Sequence, residues 1–222
     1  MKDATPITVL ASGRGSNFEA ILGAIREGNL NARVAQVISD HEDAPVLEKA
    51  RNAGIKTTFV QLKGLSREGQ DEALLQALGT EKSRFLVLSG FMRILGRRVI
   101  EAFSEGTEYP RVVNVHPALL PAFAGLRSYE QAFQYGCAVT GATVHLVDEK
   151  MDHGPICAQE AFSISDCRSA EEVEKRGLAI EHRLYSQTLS WLFEEKFQWI
   201  ERKDAALPDS KCESRRFCVR PS

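Results

Sequence analysis

Ile7-Thr8-Val9-Leu10-Ala11-Ser12-Gly13-Arg14-Gly15-Ser16-Asn17-Phe18-Glu19 is the stretch on which the fold turns. Ile7 to Ala11 is a short apolar run of strand-forming residues, read as a buried strand. Phe18, Ile21, Leu22 and Ile25 then recur at i, i+3, i+4 and i+7, one face of a helix. Between them the glycines allow a tight strand-to-helix turn and close approach of an anion to backbone N–H groups. Ser16 with Glu19 fits a capping box, which predicts a helix capped by the Ser16 side chain.

Outward from that unit the same alternation repeats. Val34 to Ile38 reads as a second strand, followed by a helix from about Pro45, with Gly54 placed to end it in a left-handed cap. Thr57 to Val60, Phe85 to Leu88 and Val112 to Val115 read as further strands. Ser66 to Leu78 and Arg97 to Phe103 read as the helices between them. Such alternation predicts an α/β fold, a Rossmann-like, mostly parallel sheet with helices on both faces. After His116 the prolines and Gly125 predict a loop over Pro117 to Leu126. A helix near Tyr129 to Tyr135, strands over Thr140 to Val147 and Ile156 to Phe162, and a long helix over Ala170 to Glu195 complete the reading. Nothing resembles a linker, so residues 1–202 are expected to form one catalytic domain, with a polar, loosely held tail over 203–222.

Composition narrows the function. The 222 residues suffice for a core without staples, and 28 Lys+Arg against 30 Asp+Glu leave no electrostatic footprint for a nucleic-acid partner. The five cysteines include no C-x-x-C pair, so neither a disulfide framework nor a zinc site is expected, and Cys212 and Cys218 read as surface thiols. No apolar run approaches the roughly 20 residues of a membrane helix, and Met1 to Pro6 lacks the features of a signal peptide. A soluble, cytoplasmic protein without membrane partner is the expectation.

Three segments carry chemistry. The turn from Ser12 to Asn17 lies at the carboxyl end of the first strand, where ligands of parallel sheets bind, and favours an anion. A dinucleotide fits less well, because Phe18 stands where G-x-G-x-x-G needs its third glycine, although Asp40 could pass for a ribose-binding acid. Asn114 and His116, two apart at a strand end, point to the same side of the sheet. Asn can donate to a developing oxyanion and His titrates near neutrality, a pair suited to attack on a carbonyl. The acidic loop Asp148-Glu149-Lys150-Met151-Asp152-His153-Gly154-Pro155 could bring an acid next to His116, favouring its protonated form and holding its orientation. His153 reads as an exposed loop residue, and His145 as either a supporting partner of the pair or a satisfied buried histidine.

Four stretches in order, Ser12 to Asn17, Ser89-Gly90-Phe91-Met92-Arg93-Ile94-Leu95, Asn114-Val115-His116-Pro117-Ala118-Leu119-Leu120-Pro121, and Gly141 to His145 with Met151 to Pro155, resemble the phosphoribosylglycinamide formyltransferase family and, more broadly, the formyltransferase fold family. The resemblance implies a fold with an antiparallel C-terminal portion and transfer of a formyl group from 10-formyltetrahydrofolate to the amine of 5-phosphoribosylglycinamide in purine synthesis, without metal. It implies Asn114, His116 and Asp152 as the catalytic trio. Gly15, Ser16, Asn17, Phe18 and Glu19 would hold the phosphate, and Glu181 the ribose hydroxyls. Arg67, Met92, Arg93, Ile94, Leu95, Asn114 and Asp148 would take the folate, the loop Asp148 to Asp152 closing over the pterin. Small molecules are then the partners, and the enzyme is a monomer or homodimer. Two departures from the family are the absence of a basic residue in Ala122-Phe123-Ala124-Gly125 and His153 in place of a small residue, which could perturb Asp152.

The competing readings are a methionyl-tRNA formyltransferase, a formyltetrahydrofolate hydrolase and a non-catalytic nucleotide-binding module. The first would need an RNA-binding domain where about twenty residues remain, and the second a regulatory domain ahead of Ile7. The third leaves the Asn114, His116 and Asp152 set without a role.

Overall fold

The computed structural model describes residues 3–79, 82–202 and 216–221. The first half of the chain alternates strand and helix: β1 (Thr5–Leu10), α1 (Ser16–Arg26), β2 (Ala32–Ser39), α2 (Pro45–Asn52), β3 (Lys56–Phe59), α3 (Arg67–Leu78), β4 (Phe85–Leu88), α4 (Arg97–Ala102) and β5 (Val112–His116). Then follow α5 (Ser128–Tyr135), β6 (Val139–Leu146), β7 (Ile156–Ser163), α6 (Ala170–Phe193), β8 (Phe197–Arg202) and β9 (Arg216–Pro221). The strands form one sheet in the order β3-β2-β1-β4-β5-β6-β7-β9-β8. From β3 to β5 neighbours run parallel; β6 and β7 are antiparallel additions.

Alternate residues of the central strands enter two different cores, which is why these strands read as continuous apolar runs. Ile7, Val9, Phe85, Val87, Val113 and Val115 pack on one face with α1, α2 and α6. Leu10, Leu86, Leu88 and Val112 pack on the other with Leu74 and Leu78 of α3 and Val99 and Ile100 of α4. The buried Tyr185 of α6 donates its hydroxyl towards the Leu88 and Val113 carbonyls, at 2.8 and 2.9 Å, and so ties α6 to β4 and β5 beside the strand ends. The doubly wound, mostly parallel sheet with an antiparallel C-terminal portion is as expected, and Gly54, at φ 71, follows α2 as predicted.

Two expectations need correction. The capping box is not formed: Gly15, left-handed at φ 73, holds the N-cap of α1, no side chain caps it, and the Glu19 carboxylate pairs with Lys49 at 2.6 Å. The tail is not loose throughout, because β9 enters the sheet between β7 and β8, pairing Cys218 with Ile156 and running antiparallel to the whole of β8. Val219, 1% exposed, joins the main core. Cys218 therefore lies in a strand, while Cys212 and the rest of 203–215 lie outside the described residues.

Gly15 is constrained twice, by its left-handed backbone and by its neighbour: a Cβ there would sit 2.6 Å from Val46 Cγ2. Gly15→Ala is expected to cost about 1–2 kcal/mol from the backbone conformation alone, plus the contact with Val46. Urea unfolding checks this. Adding Val46→Ala should relieve only the contact, and an unchanged midpoint in the single variant would refute the account.

Candidate active site

The site lies at the carboxyl ends of β1, β4 and β5. Period-two alternation puts Asn114 and His116 on one side of β5. Antiparallel pairing with β6 sets Asn114 opposite His145 and His116 opposite Thr143. His116 is 4% exposed; its Nε2 lies 2.9 Å from the Phe123 carbonyl and 3.2 Å from Ser128 Oγ. A carbonyl only accepts, so Nε2 carries a hydrogen and donates it. Nδ1 faces Asp152 Oδ2 at 3.4 Å and is the ring nitrogen left for chemistry. Asp152 itself sits in a left-handed conformation, φ 50, and its Oδ2 also accepts from the Gly125 N–H at 2.8 Å.

His145 resolves into a supporting role. Its Nδ1 lies 2.9 Å from the Leu146 carbonyl, which fixes the hydrogen on Nδ1 and leaves Nε2 to accept from Asn114 Nδ2 at 3.2 Å. Burial pushes its imidazole below the ordinary histidine value, outweighing the Leu146 carbonyl and the Asp152 charge, so the ring stays neutral and an acceptor. One N–H of the Asn114 amide is thereby oriented and the second remains free. Thr143, which the sequence did not single out, donates to the Ala118 carbonyl at 2.6 Å and accepts from Leu120 N–H at 3.0 Å, bracing the loop after His116.

Two clefts meet at this point. A larger one of about 910 Å³ is lined by Gly13 to Asn17, Tyr129 and Glu181 among others; a smaller one of about 200 Å³ is lined by Met92 to Leu95, Asn114, His116, Asp148 and Asp152 among others. Gly90, Met92, Val115, Pro117 and Arg127 line both. Gly15, Ser16, Asn17 and Glu181 are thus brought together. Phe18 and Glu19 are not: the Phe18 ring is wholly buried in the main core, and Glu19 turns to Lys49. Glu181, on α6, accepts from Asn17 Nδ2 at 2.9 Å and from the Tyr129 hydroxyl at 2.9 Å. Tyr129 and Ser128 are site residues that carried no signal in the sequence.

In the smaller cleft, Ile94 and Met92 are exposed at the wall while Leu95 is core, and the Met92 N–H donates to Ser12 Oγ at 2.9 Å. Asp40 is not open to a ribose. Burial pushes its carboxyl up, but bonds from Ser12, Arg93 and His41 outweigh this and hold it below the usual carboxylate range; the Arg93 contact is 2.8 Å. Arg67 does not line the cleft either: its guanidinium donates to the Leu95 carbonyl at 3.1 Å and the Glu149 carbonyl at 2.8 Å, bracing the wall and the acidic loop. His153 pairs with Asp148, Nδ1 to Oδ2 2.7 Å, rather than with Asp152. Among the described residues no group of three or more His, Cys, Asp and Glu could hold a metal ion, and no helix is long and apolar enough to cross a membrane.

A neutral, oriented amide N–H and an imidazole nitrogen backed by a carboxylate can stabilise an oxyanion and move a proton. A family model described as formyl transferase matches residues 5–189. The chain is 36% identical over 185 residues to the phosphoribosylglycinamide formyltransferase of Bacillus subtilis, an overlap of 83% of this chain and 92% of that one. Its identity to the Escherichia coli protein of the same name is 34% over 196 residues, 88% of this chain and 90% of the other. Among solved structures, glycinamide ribonucleotide transformylase 1 from Symbiobacterium toebii is similar with a TM-score of 0.83 and 36% identity, covering 98% of this chain and 94% of that chain.

Proposed function

Because the chain belongs to the phosphoribosylglycinamide formyltransferases of the formyl transferase family, we propose that it moves the formyl group of 10-formyltetrahydrofolate directly to the amine of 5-phosphoribosylglycinamide. The observation that carries the reading is the convergence of Asn114, His116 and Asp152 where the two clefts meet. In this reading the smaller cleft takes the pterin and the larger one the ribonucleotide. The backbone N–H groups of Gly15, Ser16 and Asn17, at the N-terminus of α1, hold its phosphate.

The free N–H of Asn114 and the Nδ1–H of His116 donate to the formyl oxygen as the amine attacks and a tetrahedral oxyanion develops. Asp152, 3.4 Å from Nδ1, holds the ring in place for that donation. The carbon–nitrogen bond to the amine forms, the bond to the folate N10 breaks, and the proton lost by the amine ends on N10, relayed through the Asp152 and His116 pair. Arg67 keeps the acidic loop against the pterin side, and His145 keeps Asn114 aimed. We take the enzyme to be one cytoplasmic domain that extends through β9, monomeric or homodimeric, working on small molecules without metal, nucleic acid or membrane.

Purified protein given both substrates is expected to release tetrahydrofolate in equimolar amount with formylated ribonucleotide. Formate released whether or not the acceptor is present would indicate a hydrolase instead. Folate binding with no turnover would indicate a nucleotide-binding module.

A further inference from the structure

Three polar side chains form a buried cluster at the floor of the larger cleft, and the formyl transfer step uses none of them: Asn17, 8% exposed, Glu181, 4%, and Tyr129, 5%. They come from α1, α6 and α5, and meet only through tertiary packing. Each carboxylate oxygen of Glu181 already has one donor, Asn17 Nδ2 on Oε2 and the Tyr129 hydroxyl on Oε1, so each retains a lone pair for one more. Because the Asn17 amino group is fixed by the carboxylate, its Oδ1 is the buried atom left without a partner. A cluster of acceptors short of donors is a place for hydroxyl groups. Burial and the neighbouring Glu181 charge push the Tyr129 phenol up, so it remains a donor.

The tyrosine ring is itself seated by sequence. Gly177 of α6 faces it so closely that a Cβ would overlap Tyr129 Cζ and its hydroxyl, and Phe162 packs on it edge-on at 6.0 Å. The ring so seated presents its hydroxyl to Glu181 Oε1.

We propose that Tyr129 is a positioning residue for ribose recognition: its hydroxyl and Asn17 hold the two Glu181 oxygens so that the acid and Asn17 Oδ1 accept from the vicinal hydroxyls of the ribonucleotide. This rests on the reading of Glu181 as the ribose-binding acid. It assigns to this chain's α5–α6 contact the discrimination between ribose and deoxyribose.

The test compares 5-phosphoribosylglycinamide with its 2′,3′-dideoxyribosyl analogue in Tyr129→Phe. Loss of one hydrogen bond to a charged group is expected to raise KM for the ribonucleotide about 10-fold, with kcat held within about twofold and KM for the folate unchanged. Binding of the dideoxy analogue should not move, so the preference for ribose shrinks by the same factor. A merely structural Tyr129 would weaken both ligands alike, and that result, or an unchanged preference, overturns the proposal. Tyr129→Phe keeps the ring against Phe162, and its melting temperature reports folding separately. Glu181→Gln is the reference: if it leaves the ribose preference intact, the reading of Glu181 fails; if it abolishes the preference while Tyr129→Phe does not, the role of Tyr129 alone fails.

Discussion

Replacing His116 by Ala is expected to lower kcat by about 10³–10⁴ while the KM of each substrate stays within about threefold. The magnitude follows from the two tasks given to one ring: proton transfer, typically worth about 10²–10⁴, and donation to the oxyanion, worth about 10²–10³. The effects are not additive when one group performs both, so the expected loss lies near the larger rather than at the product. Binding is preserved because the phosphate turn lies on another element and the smaller cleft keeps its walls from Met92 to Leu95 and from the acidic loop. Single-turnover rates at saturating substrate measure the chemical step, and near-normal rates would remove His116 from it. The substitution also leaves the Phe123 carbonyl and Ser128 without their partner, so a melting curve must accompany the kinetics.

Asp152→Asn is expected to lower kcat by about 10²–10³ with little change in stability. Asparagine matches the shape of the acid, tolerates the left-handed backbone found at φ 50, and keeps an oxygen for the Gly125 N–H. What it lacks is charge. The His116 Nδ1–H then faces a neutral group, and the relay from amine to N10 loses its acceptor. The rate of tetrahydrofolate formation tests this; a variant within fivefold of the parent would show that the 3.4 Å contact of Asp152 with His116 serves structure rather than turnover.

The centre of the parallel sheet is legible in the sequence because Ile7 to Leu10 and Phe85 to Leu88 are buried on both faces and are mostly apolar, and because α1, which follows β1, has a clear apolar face. Asn114 and His116 are legible because a spacing of two on a strand fixes their common side. The Ser16 and Glu19 pattern misleads for a physical reason: the turn is built by left-handed Gly15, which leaves the first N–H groups of α1 uncapped and open to a ligand. Arg67 and Asp40 mislead because each is consumed by partners inside the fold, carbonyls for the one and Arg93 for the other. Tyr129 was illegible. It lies 52 residues from Glu181, and no local pattern encodes a meeting that depends on Gly177 letting α5 and α6 close together. β8 and β9 escape the sequence reading because Phe197-Gln198-Trp199 alternates for only three residues before Ile200 breaks the pattern, and its partner lies beyond 203–215.

That pair of strands carries a consequence for the order in which the protein can be completed on the ribosome. β8 emerges first, yet among the described residues the one strand beside it is β9, and β9 is also its bridge to β7. The sheet can therefore grow outward from β1 as each successive strand appears, until β8, whose ladder partner has not yet been made. Assembly at this edge runs against the direction of synthesis, and a chain stopped short of Arg216 forfeits two strands of the sheet for the loss of one.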